Sequence, residues 1–308
     1  MSIQVQKYLR KFDADKYASQ DNTIWISKQD IDYPNYASKC LRSRIDTTDI
    51  FIKTLTPNEV AFGIASSNLY NEIGLDTPYA FPVKIKEENE LALGTQNIEK
   101  LNIKDLEIKQ ACTTLFCILK LDNNANYSVP TKWTILFNQE ERNKLLEVMT
   151  EDCLEQLINL LLADELRADN DRHWGNFFFY KQKGSEKYEG LIVIDIDNTR
   201  LLRKQNTSPA LSFQYFLHNP FISFTALQYT DKFQSHSKRI KNLKKLLEQG
   251  KLNNSNIETL TKAVNYDLAK DIQTLGEKHN ISKETQYVYE MTSRLSEYNR
   301  RHLNELAK

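Results

Sequence analysis

The 308 residues read as an α+β chain in two parts: a strand-rich N-terminal third, then a mostly helical remainder holding one small hairpin. Three observations predict this. Short β-branched and aromatic runs bounded by turn residues fill the first hundred positions. From about residue 100 onward, apolar residues recur at three- and four-residue spacing. A single interruption, "FFFY" followed by "LIVIDI", reads as two paired strands. Strands first and helices after argue against alternating βαβ units and for two lobes, 1–97 and 98–308.

The elements follow in order. "TIWIS" and "KCLRSRI" are β-prone, separated by the turn material "DYPNY". "DIFIKTL" (49–55) is a strand bounded by Thr-Pro. The helix over 56–75 opens on Thr56 as N-cap, with Pro57 at its first position and Glu59 completing a capping box. Gly74 stops it. Residues 79–97 read as two strands around the turn "KEENEL". "NIKDLEIKQACTTLFCILKL", "NQEERNKLLEVM" and "TEDCLEQLINLLLADELR" carry helical spacing, and the last is apolar on most faces, which predicts a buried helix. Beyond residue 210 nearly everything is helical, with loops at "HNPF" and "GKLNNSN".

Composition narrows the classes. Lys plus Arg and Asp plus Glu stand at 41 each, so net charge argues for neither nucleic acid nor an anionic membrane. The polar N-terminus shows no signal peptide and no apolar run approaches the length that spans a bilayer. The expected location is the cytoplasm, or a host cell reached without a cleaved signal. Cys40, Cys112, Cys117 and Cys153 are scattered, the pattern of buried reduced thiols rather than of zinc. The run 238–251 places Lys238, Lys241 and Lys245 on one face, a candidate for an anionic partner and otherwise a solvated helix face.

Chemistry concentrates in "LLADELRADNDRHWGNFFFY" (161–180) and "LIVIDIDNTRLL". Asp171 lies in the turn after the apolar helix, Asn176 five residues on at the mouth of a strand, and Asp195 at the end of its partner. Carboxylates in buried strands need a reason. An aspartate that orients an acceptor hydroxyl, with an asparagine and a second aspartate offering hard oxygens to Mg²⁺ (or Mn²⁺), is the division of labour of phosphoryl transfer in the protein-kinase architecture. The cation for the phosphates would be Lys53, at the end of "DIFIKTL", with Glu59 on the next helix as its ion-pair partner. Asp197 is a second candidate metal ligand, and Asp169 reads as turn chemistry. The plainer alternatives are a turn-forming loop at Asp171 and Asn176, a strand-end cap at Asp195 and a snorkelling edge lysine at Lys53. His173 reads as a structural hydrogen-bonding residue.

These segments resemble the HipA-like kinases and the small bacterial secreted Ser/Thr kinases related to them, which show an apolar helix, N-x-DRHxxN-x-x-F and an aspartate at a strand end. "NEVAFGIASSNLYNEIGLDTP" is similar to the family's N-terminal helix, and phosphatidylinositol 3- and 4-kinases share the DRHxxN form. The resemblance covers about 49–80 and 155–200. It implies a two-lobed atypical kinase fold with ATP between the lobes, Asp171 as catalytic aspartate, Asn176 and Asp195 on the metal and Lys53 on the phosphates. It implies a protein Ser or Thr as acceptor, the chain's own loop around Ser38 included.

Departures from that pattern are specific. No glycine precedes Gly63, so a phosphate loop must use "NYASKC", with Ser38, Lys39 and backbone N–H groups approaching the nucleotide. "DID" stands where Asp-Phe-Gly is usual. Two rival readings stay open: a phosphoinositide or small-molecule kinase, and a non-catalytic module that binds nucleotide.

Overall fold

Alternation along one strand shows how the first sheet is built. Along β4 (Thr48–Thr54), Ile50 and Ile52 are buried in a core with Ile24, Ile26, Phe81 and Val83, so Phe51 and Lys53 lie on the opposite face. The other strands are β1 (Ile24–Ile26), β2 (Ile31–Asp32), β3 (Cys40–Ile45), β5 (Ala80–Ile85) and β6 (Glu90–Gln96). Their order across the sheet is β1-β5-β6-β4-β3-β2, antiparallel except where β1 pairs with β5. Lys53 lies between Cys40 on β3 and Leu93 on β6. The structure is a computed structural model and describes residues 14–18, 23–32, 40–87, 90–98, 105–111, 139–169, 174–197 and 240–303 except 242 and 247, with the single positions 5, 9, 103, 199 and 202.

The chain divides into two compact units. The first comprises Met1–Lys104, Ile196–Asn198 and Asp267–Arg294; the second comprises Asp105–Asp195, Thr199–Tyr266 and Leu295–Lys308. In the first, helix α1 (Pro57–Glu72) starts as the sequence predicts. Thr56 Oγ1 accepts from Glu59 N, and the Glu59 carboxylate accepts from Thr56 N at 2.8 Å. It ends on Gly74, at φ 84°, with Gly74 N donating to Asn71 O and Leu75 N to Tyr70 O. Those two bonds satisfy carbonyls that a helix end leaves without partners, and they need a left-handed residue at this position.

The second unit holds α2 (Gln139–Val148), α3 (Glu151–Leu166) and α4 (Asn254–Asn265), with a sheet of β7 (Leu106–Gln110), β8 (Phe177–Gln182) and β9 (Gly190–Val193). Helix α3 is capped by Thr150 and buried from Leu157 to Leu166, as its apolar faces predict. Asn256 Nδ2 donates to Asn159 Oδ1 at 2.8 Å, fixing α4 on it. Helices α5 (Leu268–Lys278) and α6 (Ser282–Leu303) complete the chain.

One element differs from expectation. Residues 106–110 are a strand, not part of a helix, and they pair antiparallel with β8 from Leu106↔Gln182 to Gln110↔Phe178. The hairpin is therefore the core of a three-stranded sheet. The short run "LEIKQ" supports either period, and the backbone groups on the far edge of β8 decide between them, since buried N–H and C=O groups must be paired. The rest of the expected helix, 112–121, lies outside the described residues.

Cys153 is a free thiol with no exposed surface, and burial pushes its pKa up, with Asp152 adding to the effect. Only the thiolate is nucleophilic. Peptide mapping after iodoacetamide treatment at neutral pH is expected to find Cys153 unlabelled in the native chain and labelled after denaturation. Native-state labelling would contradict its placement in the core.

Candidate functional site

Lys53 is the last but one residue of β4, and its Nζ donates to Asp197 Oδ1 at 2.8 Å. The two are 144 positions apart, and Asp197 is buried while Lys53 keeps some exposure. A part-buried, charge-assisted bond of this kind is stronger than a surface ion pair. Gly63 makes room beside it. A Cβ at residue 63 would stand 2.9 Å from Leu93 Cδ2 and 3.3 Å from Asp197 Cβ. A glycine inside a helix costs about 1 kcal/mol relative to alanine, and the close approach of α1 to Asp197 accounts for it. That isolated glycine was the signal that could have marked the position.

Glu59, expected beside Lys53, has its carboxylate on the Thr56 cap, accepting from both Thr56 N and Thr56 Oγ1. The Lys53 ammonium pairs with Asp197.

In the second unit, β8 and β9 bring Asn176 and Asp195 to neighbouring strand ends. Asn176 closes a single helical turn, Trp174–Asn176, immediately before β8. Phe177 faces Val193 across the ladder, and Ile194 N donates to Asn176 O at 3.0 Å, one residue short of Asp195. Gln110 Nε2 on β7 donates to Gly175 O at 3.0 Å and steadies the same turn, a contribution the sequence reading missed. Asn176 is buried, and Asp195 is half-buried with φ 57°. Left-handed backbone at a residue other than glycine is uncommon, and aspartate is among the types that tolerate it.

The polypeptide entering the acidic turn is held from inside. The Arg167 guanidinium has no exposed surface and pairs with Asp164 and Asp169. Thr199 Oγ1 donates to Arg167 O at 3.1 Å, and Asn299 Nδ2 donates to Leu166 O at 2.9 Å. Asp169 is thus a buried counter-ion as well as a turn residue. Asp171, His173, Ser38 and Lys39 lie outside the described residues. Of the basic run 238–251, Lys241 and Lys245 are exposed while Ile240 and Leu243 are buried, and Lys238 lies outside the described residues.

No protein-family model matches the sequence, and no curated protein matches it. Solved structures do. The Helicobacter pylori proinflammatory kinase CtkA matches with a TM-score of 0.53 over 92% of this chain and 96% of its own, at 13% identity. HipA of Shewanella oneidensis MR-1, solved as a toxin–antitoxin system with HipB and operator DNA, matches with a TM-score of 0.52. That match covers 89% of this chain and 63% of the HipA chain, at 13% identity. The fold is that of the HipA-like kinases.

In the second unit Asn176 and Asp195 offer an amide and a carboxylate oxygen, the hard donors Mg²⁺ takes, and Mg²⁺ is commonly held by only one or two carboxylates plus phosphate oxygens. Among the described residues no three His, Cys, Asp or Glu side chains gather into a self-sufficient metal cluster. No helix among the described residues is long and apolar enough to cross a membrane.

Proposed function

We propose that the chain is an ATP- and Mg²⁺-dependent kinase that transfers the γ-phosphoryl group to a Ser or Thr hydroxyl of a protein. The observation that carries this reading is the bond between Lys53 and Asp197, which joins the cation expected on the phosphates to the "DID" segment expected on the metal. A HipA-like fold alone does not imply an activity; the site must.

Each residue then has a task. Lys53 would exchange part of its interaction with Asp197 for phosphate oxygens. Asn176 and Asp195 would hold Mg²⁺, the amide positioned by the Ile194–Asn176 bond and the carboxylate by the strand end. When bound, Mg²⁺ offsets the charge of the phosphates. Asp171 would orient the acceptor hydroxyl and take its proton as the new O–P bond forms and ADP leaves. Catalysis rests on alignment and charge, with little covalent work for the protein. The segment 33–39 joins β2 to β3, the strand beside the one bearing Lys53, and with Ser38 and Lys39 it is the stretch suited to cover the phosphates.

The test is intact-mass measurement after incubation with ATP and Mg²⁺. The parent chain is expected to gain phosphoryl groups, and Asp171→Ala to gain none while keeping its circular dichroism spectrum. Equal phosphorylation of both would remove Asp171 from the reaction. An unchanged mass for the parent, with nucleotide binding by calorimetry, would favour the non-catalytic binding module. Transfer to phosphoinositide vesicles and not to protein would favour the lipid-kinase alternative.

A further inference from the structure

We propose that Gln110 is a positioning residue for the metal site of the kinase reading above, on which its role rests. It fixes the direction in which Asn176 presents its amide oxygen, and so sets how tightly Mg²⁺ is held with the nucleotide. Every group involved lies in the second unit: β7, β8, β9 and the turn before β8.

A side chain leaves the backbone in a direction set by the two peptide planes that meet at its Cα. Each plane is rigid, so a hydrogen bond to each holds that direction. Asn176 has both. The carbonyl of Gly175 belongs to the plane entering the residue and accepts from Gln110 Nε2 at 3.0 Å. The carbonyl of Asn176 belongs to the plane leaving it and accepts from Ile194 N at 3.0 Å. The two donors come from opposite sides, since β7 and β9 flank β8. The bond from Ile194 is main chain and would survive most substitutions there. The bond from Gln110 depends on the side chain alone.

The strand register places that side chain where it can act. Gln110 is the last residue of β7 and stands opposite Phe178, at the Asn176 end of β8. Gly175 lies in the turn Trp174–Asn176, just before the ladder, and the half-buried glutamine reaches back to it. Lys109 points to the other face of the strand, where it pairs with Glu107 at 2.6 Å. Mg²⁺ demands near-octahedral geometry, so a ligand turned away from its direction weakens binding. Loss of a group that orients a metal ligand lowers metal affinity about 10- to 100-fold.

Calorimetry of ATP binding to the full chain over a series of Mg²⁺ concentrations gives a readout that needs no phosphotransfer. Gln110→Met keeps the length and removes the donor. The Mg²⁺ concentration that gives half of the gain in ATP affinity is expected to rise about tenfold, with metal-free ATP binding unchanged. In phosphotransfer assays the same variant should need about tenfold more Mg²⁺ and recover the parent kcat once Mg²⁺ is saturating. Gln110→Ala, which removes bulk as well, should give the same shift, and it decides if melting curves show that the methionine variant does not fold. Lys109→Gln should keep the parent's Mg²⁺ requirement. The role of Gln110 is overturned if its variants share that requirement, if kcat stays low at saturating Mg²⁺, or if Lys109→Gln shifts the requirement as far. A parent chain that neither binds ATP with Mg²⁺ nor transfers phosphate overturns the kinase reading, and the role of Gln110 with it.

Discussion

Replacing Asp195 by glycine is expected to reduce phosphotransfer about 10²–10³-fold while leaving stability within about 1 kcal/mol of the parent. The two effects separate because they have different origins. The backbone at Asp195 is left-handed, with φ 57°, a conformation that costs other residues energy and costs glycine none. Glycine brings its own penalty, a more flexible unfolded chain, and the two terms oppose each other. The carboxylate, by contrast, is a proposed Mg²⁺ ligand that glycine removes outright. Asp195→Asn tests the same point from the other side, since asparagine tolerates left-handed backbone but carries no charge; its rate should fall between those of the parent and the glycine variant. Lys53→Met should behave differently. It also lowers phosphotransfer, but it strips an ammonium from the buried Asp197 and so destabilises the fold as well. Incorporation of labelled phosphate and denaturant unfolding, measured on all three variants, give the two readouts. Parental rates in Asp195→Gly would transfer the metal role to Asp197, which Asp197→Asn examines in parallel.

Much of this arrangement was legible because its determinants are local. The capping box of Thr56 and Glu59, the stop at Gly74 and the buried helix ending near Arg167 each rest on residues within a few positions of one another. The pairing of β8 with β9 needs only a short connection. What escaped depends on contacts distant in sequence. Strand β7 is defined by β8, some seventy residues away, and its five residues carry too little periodicity to identify it. Asp271 and Val288 reach Asn68 and Asn58 across more than two hundred positions, so nothing local announces that 267–294 belongs with the first unit. The sequence points Lys53 to Glu59, and its pairing with Asp197 escaped for the same reason. Glu59 was the nearer carboxylate in sequence, but the helix cap claims it, and folding brings in Asp197 instead.

The largest expected loss of stability belongs to Arg167, which touches no proposed substrate. Its side chain has no exposed surface, and the carboxylates of Asp164 and Asp169 beside it are nearly as buried. Arg167→Met would retain much of the bulk and leave two anions without their cation, which in buried pairs costs about 3–5 kcal/mol. Melting temperature should fall on the order of 10 °C. Arg167→Lys keeps the charge but loses the planar fork that reaches two carboxylates, so its loss should be smaller. The double variant Arg167→Met with Asp169→Asn decides whether stranded charge is the cause: it should be more stable than Arg167→Met alone, because the second change removes an anion the first left facing an apolar interior. If the double variant is no better, lost packing rather than electrostatics explains the effect. Arg167 also lies four residues before Asp171, and its carbonyl accepts from Thr199, two residues past Asp197. The buried guanidinium thus anchors the chain entering the acidic turn, and the backbone carbonyl of the same residue ties it to Thr199 beyond the "DID" run. Partial loosening in Arg167→Lys should therefore lower phosphotransfer more than its modest stability loss explains, measured at a temperature where the variant remains folded.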